Sequence, residues 1–321
     1  MLELGFTQAD TLYMTGRLLL ILGLAACIAA SNLVAQEPVQ TFRSSVDVVP
    51  VRASVRDGDG RPIRGLVQRD FMVLDNGEQR PIRTFHADVA APITAAFLVD
   101  VSGSMSVSNK MTLAHEVLHH SFQAMRPGED EAALFTFDTR VDERRPFTRD
   151  FRNLASVLLK IEPFGATSLY DMVAHTAKRV QATPSAHAAL VVVTDGFDTS
   201  STLTPGEVSG IASAAQVPIY VVATTATSDK GAVRDDDGPA KPYGVDLRDL
   251  AAWSGGGVFV ASSPLEAQAA AAALVRDLRH QYVLGIDAAA TDEWRRLDVQ
   301  VRKKGVIVRA RSGYFGKSRR S

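Results

Sequence analysis

One cysteine, Cys27, stands among 321 residues, so no disulfide can form within the chain and the fold must hold together without one. An excess charge of either sign is also missing. The 35 Lys and Arg offset the 36 Asp and Glu to a formal net charge of −1, and no Lys/Arg run is interleaved with aromatics, which argues against nucleic acid as a partner. No apolar run reaches the roughly 20 residues that a membrane-spanning helix needs. A Gly-x-Ser-x-Gly elbow is absent too, so the serines singled out below do not read as acyl-transfer nucleophiles. The length of 321 residues leaves room for one large domain and one small one.

The first 35 residues stand apart. Arg17 precedes the apolar stretch Leu18 to Ala30, and small residues then lead to Ala35-Gln36, which is the layout of a secretory signal. Glu3 and Asp10 are unusual in the leading part of such a signal, and Met14 lies just before Thr15-Gly16-Arg17, so translation is expected to begin at Met14. Within the apolar stretch, Leu24-Ala25-Ala26-Cys27 resembles a bacterial lipobox, which would make Cys27 the lipidated first residue of the mature protein. Cleavage after Ala35 is the other reading. Both place the protein outside the cytoplasm, in the periplasm, the cell envelope or the medium.

Chemistry concentrates at Asp100-Val101-Ser102-Gly103-Ser104, directly after the apolar run Ile93 to Val99. A buried strand followed at once by Ser, Gly and a helix-forming stretch puts these side chains at the carboxyl edge of a parallel sheet, where open α/β folds bind ligands. One carboxylate and two hydroxyls outline an oxygen-only cation site suited to Mg²⁺ or Mn²⁺. Thr167, in Gly165-Ala166-Thr167-Ser168, precedes an amphipathic helical run, and Asp195 ends the β-branched run Ala188 to Thr194, which fits a central parallel strand.

With these residues in place the chain resembles the von Willebrand factor type A family, whose metal-ion-dependent adhesion site has the pattern D-x-S-x-S, then Thr, then Asp. The matching positions are Asp100, Ser102, Ser104, Thr167 and Asp195, and the resemblance covers roughly Ile93 to His280. It implies that the two Ser hydroxyls and the Thr coordinate Mg²⁺ directly or through water, that the aspartates act partly through water, and that an Asp or Glu of a partner protein completes the shell. The implied protein is a non-catalytic, exported binding module.

Around that segment the pattern is strand-rich. A strand is expected from about Val46 to Val55, and Pro50, which cannot donate to a ladder, predicts a sheet edge or a bulge there. Asp57-Gly58-Asp59-Gly60 reads as a tight hairpin turn rather than a calcium loop, and Phe71 to Leu74 reads as a strand reaching a second turn at Asp75-Asn76-Gly77. Expected central strands are Thr94 to Val99, Ala132 to Phe137, Leu190 to Thr194, Ile219 to Ala223 and Val258 to Ala261. Expected helices are Lys110 to Met125, Phe151 to Ile161, Leu169 to Gln181, Pro205 to Ala215 and Leu265 to Arg279, with a short edge strand within Arg140 to Phe147. Gln281 to Ile286, Leu297 to Arg302 and Val306 to Arg311 return to strands, the last two joined at Lys303-Lys304-Gly305.

Neither terminal segment has enough apolar surface to fold alone, so their strands are predicted to pair into one small β-sandwich built from both ends of the chain. The fold class is therefore α/β, a Rossmann-like doubly wound, mostly parallel sheet with that sandwich attached. The expected organisation is a signal peptide at 1–35, an N-terminal β segment at 44–90, a von Willebrand factor type A domain at 93–280 and a C-terminal β segment at 281–316. The layout, down to the closing Gly313-Tyr314-Phe315, resembles a group of exported bacterial proteins related to that family.

A competing motif is His115-Glu116-Val117-Leu118-His119, a full H-E-x-x-H that puts two imidazoles one helical turn apart for Zn²⁺, with Glu116 as general base. Its helix follows the Asp100 loop and carries the imidazoles about two to three turns away from the sheet edge. His120 points around the helix, and Glu143 falls in a charged edge-strand stretch, so no third ligand is evident. A solvated helix face is the preferred reading, with a zinc metalloprotease as the alternative and a structural envelope protein with a vestigial site as a third. Asp138, at the end of its strand, reads as a turn residue or a second acceptor near the site. Asp235-Asp236-Asp237-Gly238, within the polar stretch Ser228 to Gly244, has carboxylates enough for a second cation but reads as a flexible loop, one that would shape partner choice if it flanks the sheet edge.

Overall fold

The structure is a computed structural model that describes residues 48–88, 91–183, 188–225 and 245–316. All of these belong to one of the chain's two compact units, Val46–Ser321. The expected signal segment with Met14 and Cys27, and the acidic stretch Asp235 to Gly238, lie outside the described residues.

At the centre is a six-stranded sheet of β5 (Thr94–Asp100), β6 (Glu131–Phe137), β7 (Val141–Thr148), β8 (Ala188–Thr194), β9 (Ile219–Thr224) and β10 (Val258–Ala261). Their order is β10-β9-β8-β5-β6-β7, parallel throughout except for the antiparallel edge strand β7. Every residue of β5 and β8 is buried, as a strand covered on both faces requires. Alternation then sorts the side chains. Ala95, Phe97 and Val99 of β5 pack under α1 (Lys110–Ala124) and α5 (Pro264–Arg279), while Ala96 and Leu98 pack under α2 (Leu169–Gln181), α3 (Pro205–Ala215) and α4 (Val245–Ser254). The chain leaves β5 toward β6 on one side and returns to β8 on the other, so the carboxyl end of β5 is the point at which the strand order reverses.

Helix boundaries follow local chemistry. Thr204 caps α3 through a reciprocal box with Glu207, with Pro205 at the first helical position, and Ser263 caps α5. The run expected as a helix from Phe151 to Ile161 is instead a 3-10 segment, Ala155–Lys160. It buries Leu154, Ala155 and Leu158 beside α1 and leaves Leu159 exposed, an apolar face too narrow to organise a longer α-helix. Helix α4 was not evident in the sequence. Between α4 and β10 runs Gly255-Gly256-Gly257, where a Cβ on Gly256 would overlap the Ile219 backbone carbonyl. Gly256→Ala is expected to cost at least the ~1–3 kcal/mol of an overpacked core, read as a lower midpoint in urea melts.

The remaining strands form two further four-stranded sheets. One has the order β13-β1-β11-β4, from β1 (Val48–Asp57), β4 (Ile82–Asp88), β11 (Gln281–Asp287) and β13 (Val306–Ala310). The other has the order β14-β12-β2-β3, from β2 (Phe71–Asp75), β3 (Glu78–Arg80), β12 (Trp294–Val301) and β14 (Gly313–Phe315). Strands from the two ends of the chain alternate in the first sheet and meet at the β12–β2 pair in the second, and Val51, Val55, Phe71, Val73, Tyr282, Leu284, Ile286 and Leu297 share one core.

Three details differ from the sequence expectation. Strands β1 and β2 enter opposite sheets instead of forming a hairpin, and β4 was not anticipated. Strand β1 is internal, yet Pro50 is tolerated because β13 pairs only from Ala53 onward, leaving the Pro50 stretch with β11 alone. The Asp57 carboxylate accepts from the amides of Asp59 (3.0 Å) and Arg61 (2.8 Å), a turn role. Asn76 and Gly77, both at positive φ (52° and 86°), make the tight β2–β3 hairpin. The Asp75 carboxylate, fully buried, accepts from Arg295 Nε (2.6 Å), Arg80 Nε (3.2 Å) and Tyr314 Oη (3.1 Å), which fastens the closing Gly313-Tyr314-Phe315 strand to the sandwich.

Candidate functional site

The carboxyl end of β5 delivers Asp100, fully buried, into the crevice between the β6 and β8 crossovers. Its Oδ1 accepts from the Ser102 amide (2.9 Å) and its Oδ2 from Thr194 Oγ1 (2.6 Å). Ser102 opens a short 3-10 turn, Gly103–Ser106, that places the Ser102 and Ser104 hydroxyls 3.2 Å apart. Met105, buried in that turn, receives the Thr224 hydroxyl on Sδ (3.7 Å) and so pins the loop to β9.

The second loop lies against the first. Phe164 N donates to Val101 O (3.0 Å) and Gly103 N to Gly165 O (3.0 Å), and a Cβ on Gly103 would come within 3.2 Å of that carbonyl, so glycine permits the approach. Thr167 follows, nearly buried, and among the described residues its hydroxyl has no hydrogen-bond partner. The third loop, after β8, completes the group. Thr199 N and Ser200 N donate to Thr167 O (2.9 and 3.0 Å), and Asp198 Oδ1 accepts from Leu169 N (2.8 Å), capping α2. Asp195, fully buried, is close enough to Asp100 to act on its ionisation. All five residues singled out in the sequence are thus set in three mutually hydrogen-bonded loops at one sheet edge. Asp138 stands beside them as a turn residue: its carboxylate accepts from Arg140 N (2.8 Å) and its carbonyl from Ser168 N (2.9 Å).

Two members of the site escaped the sequence reading. Lys110, the first residue of α1, is buried and donates from Nζ to Asp195 Oδ2 (2.9 Å), with its ammonium 5.4 Å from the Phe197 ring centroid. Thr194 holds the second oxygen of Asp100. Each looked like an ordinary helix or strand residue, and a lysine immediately after the loop was the one available hint.

Lys110 neutralises Asp195, whereas no ion pair to Asp100 occurs among the described residues. Burial, opposed by the Ser102 and Thr194 hydrogen bonds and reinforced by the nearby Asp195 charge, pushes the Asp100 carboxyl up to about 6. A desolvated carboxylate with hydroxyl oxygens beside it fits a hard divalent cation, which would supply the missing positive charge. Among the described residues, no group of three or more His, Cys, Asp or Glu side chains is placed to hold a metal ion.

The H-E-x-x-H residues sit elsewhere, on α1. The His115 and His119 rings stack 6.1 Å apart, His119 Nε2 meets Gln123 Nε2 (2.9 Å), and Glu116 Oε2 lies 3.4 Å from His120 Nε2 instead of between the two imidazoles. Glu143 is held by Arg179 (3.0 Å) beside α2, on the other face of the sheet.

A mostly parallel sheet with helices on both faces, carrying oxygen-bearing side chains at its strand-order reversal, defines a doubly wound α/β domain. Residues 95–197 match the family model of the von Willebrand factor type A domain. Among solved structures it is similar to an aerotolerance-related membrane protein from Bacteroides fragilis (16% identity over 58% of this chain and 98% of that one, TM-score 0.45). It is also similar to a von Willebrand factor type A protein from Catenulispora acidiphila (12% identity, 87% and 76% covered, TM-score 0.47). A third is the vWF domain of the type V pili tip protein Mfa5 from Porphyromonas gingivalis (17% identity, 36% and 43% covered, TM-score 0.31). No curated protein matches the sequence.

Proposed function

We propose that the protein is a non-catalytic, exported, cation-dependent binding module for a protein ligand that presents an Asp or Glu. The observation that carries this reading is the grouping of Asp100, Ser102, Ser104, Thr167 and Asp195 in three loops whose rim exposes large apolar side chains. Val107, Phe164 and Phe197 are 56%, 83% and 44% exposed and belong to the same three loops. Exposed apolar groups around a charged centre suit a docking surface.

The hydroxyls of Ser102, Ser104 and Thr167 would hold Mg²⁺ or Mn²⁺, with Asp100 supplying negative charge and Asp195 held in place by Lys110. Bound there, the cation supplies a Lewis-acidic position for an outside carboxylate. The family match to residues 95–197 supports the reading. Export rests on the Met1 to Ala35 segment, with Cys27 as the lipidation point in the anchored form.

Calorimetric titration of the metal-free mature protein with Mg²⁺, Mn²⁺ and Zn²⁺ tests it. Thr167→Ala is expected to weaken Mg²⁺ or Mn²⁺ by at least the ~10–100-fold that loss of a metal's outer-shell partner costs, and His115→Ala to leave it unchanged. Zn²⁺ binding lost in His115→Ala and intact in Thr167→Ala would instead favour a zinc enzyme. Mass spectrometry of the mature N-terminus separates the anchored form, beginning at a lipidated Cys27, from one beginning at Gln36.

A further inference from the structure

At the amino edge of the central sheet, the end opposite Asp100, a cavity of about 530 Å³ opens between that sheet and the β1–β4–β11 face of the sandwich. Its walls include Pro50, Ala53, Val283, Pro218 and Tyr220, and two arginines, Arg52 and Arg311, line it. Arg311 is only 6% exposed, and its Nε and Nη2 atoms are buried with no hydrogen-bond partner among the described residues. Arg311 lies over the Tyr314 ring (5.9 Å to its centroid), but the neighbouring guanidinium groups have a carboxylate as well as a ring. Arg56 Nε donates to Asp277 Oδ1 (3.0 Å) and Arg309 Nη1 reaches Asp277 Oδ2 (3.5 Å), both stacked over Phe259, so one buried carboxylate neutralises that pair.

A buried guanidinium with unmet donors is costly, and beside a cavity such a group calls for a partner from water, an ion or a ligand. Arg311 and Arg52 are near enough to repel each other, and burial first, then Arg52, holds the Arg311 guanidinium down to about 10. The acidic side chain on the cavity wall is Asp88, which faces Arg52. His86 adds a titratable donor, and Ser54, Ser213, Gln216 and Gln281 add neutral polar groups. The carboxyl ends of α3 and α4 border the space, each worth about half a negative charge at most, and among the described residues neither gives Arg311 Nε or Nη2 an acceptor.

We infer that this cavity is a binding site for a small organic oxyanion, a carboxylate or a phosphate ester, whose head group is held by the guanidinium groups of Arg311 and Arg52. The fork of an arginine matches either head group in a bidentate manner. The volume lies in the range of small-molecule pockets, and the Pro50, Val283, Pro218 and Tyr220 walls suit an organic body more than a bare ion. This site is independent of the cation-dependent reading and sits on different elements.

Thermal melts of the full chain at fixed ionic strength, with benzoate, phenyl phosphate or inorganic phosphate replacing chloride, test the inference. At least one organic anion is expected to raise the Tm saturably and more than inorganic phosphate does. Arg311→Met is expected to weaken that anion at least tenfold while leaving the Tm of the ligand-free protein at or above the parent's, because an unpaired buried charge has been removed. Arg52→Met serves as a second variant, expected to weaken the same anion and carrying the test if Arg311→Met does not fold. No saturable rise with either organic anion, or an equal rise in the arginine variants, would overturn the site. A rise with inorganic phosphate alone would overturn its organic ligand class.

Discussion

Asp100→Ala is expected to abolish Mg²⁺ and Mn²⁺ binding, a loss of more than about 100-fold, or about 2.8 kcal/mol, while the protein stays folded. Of the two site carboxylates, Asp195 is already committed to Lys110 (2.9 Å), so Asp100 is the charge available to a cation. The hydroxyls of Ser102, Ser104 and Thr167 alone do not offset the dehydration of a small divalent ion.

Retention of the fold follows from opposing terms. Removing Asp100 leaves the Ser102 amide and the Thr194 hydroxyl without their acceptor, costing about 1–3 kcal/mol per unmet group. It also removes a desolvated carboxylate whose pKa burial has raised to about 6, which offsets part of that cost. Calorimetry paired with thermal melts checks both halves; undiminished Mg²⁺ affinity in a folded Asp100→Ala protein would sink the proposed site.

The largest expected loss of stability is at Arg279→Met, about 3–5 kcal/mol at neutral pH. Arg279, nearly buried at the end of α5, makes a two-pronged ion pair with the fully buried Asp130, Nη1 to Oδ1 at 3.2 Å and Nη2 to Oδ2 at 2.6 Å. The same carboxylate accepts from the Ile93 amide (2.8 Å) at the entry to β5 and from the Arg126 amide (2.6 Å) after α1. One side chain thus gathers the amino edge of the sheet at the point where the chain passes from α5 into β11 of the sandwich. Removing only the cation leaves a buried charge with two amide partners.

The pH dependence follows from the ionisation of Asp130. Burial acts to raise its pKa, but the Arg279 bond and the two amides outweigh it and leave the carboxyl below its ordinary value. A depressed carboxyl contributes stability above its unfolded pKa of about 4 and loses that contribution as pH falls through the lower folded value. In Arg279→Met the main depressing partner is gone and burial remains, so protonation sets in at higher pH. The gap between parent and variant is therefore expected to be widest above about pH 5 and to narrow in acid. Urea melts at several pH values measure this, and a constant gap from neutral pH to acid would contradict it.

Much of the central domain was legible because its signals are local. Strands β5 and β8 are continuous apolar runs because both of their faces are covered, and α3 begins at Thr204-Pro205 with Glu207 because a helix start needs partners for its free amides. The Asp100 to Ser104 turn, Thr167 and Asp195 were readable as one site because each follows or precedes a recognisable element at the same sheet edge. Periodicity and capping act over a few residues, and a sequence displays them directly.

Long-range partnerships had no such signature. Whether β1 faced β2 or β11, whether Pro50 lay at an open edge, and where α4 packed depended on which distant segment came alongside. The same holds for charge. Nothing local marks Lys110 or Arg311 as buried; tertiary packing removed water from both, giving one Asp195, 85 residues away, and leaving two nitrogens of the other without a partner among the described residues. The cost of a buried charge is set by the surroundings that folding assembles, so the sequence determined most of the elements of the central domain and which oxygen-bearing side chains lie at its sheet edge, and the tertiary structure decided which charges are met and which wait for a ligand.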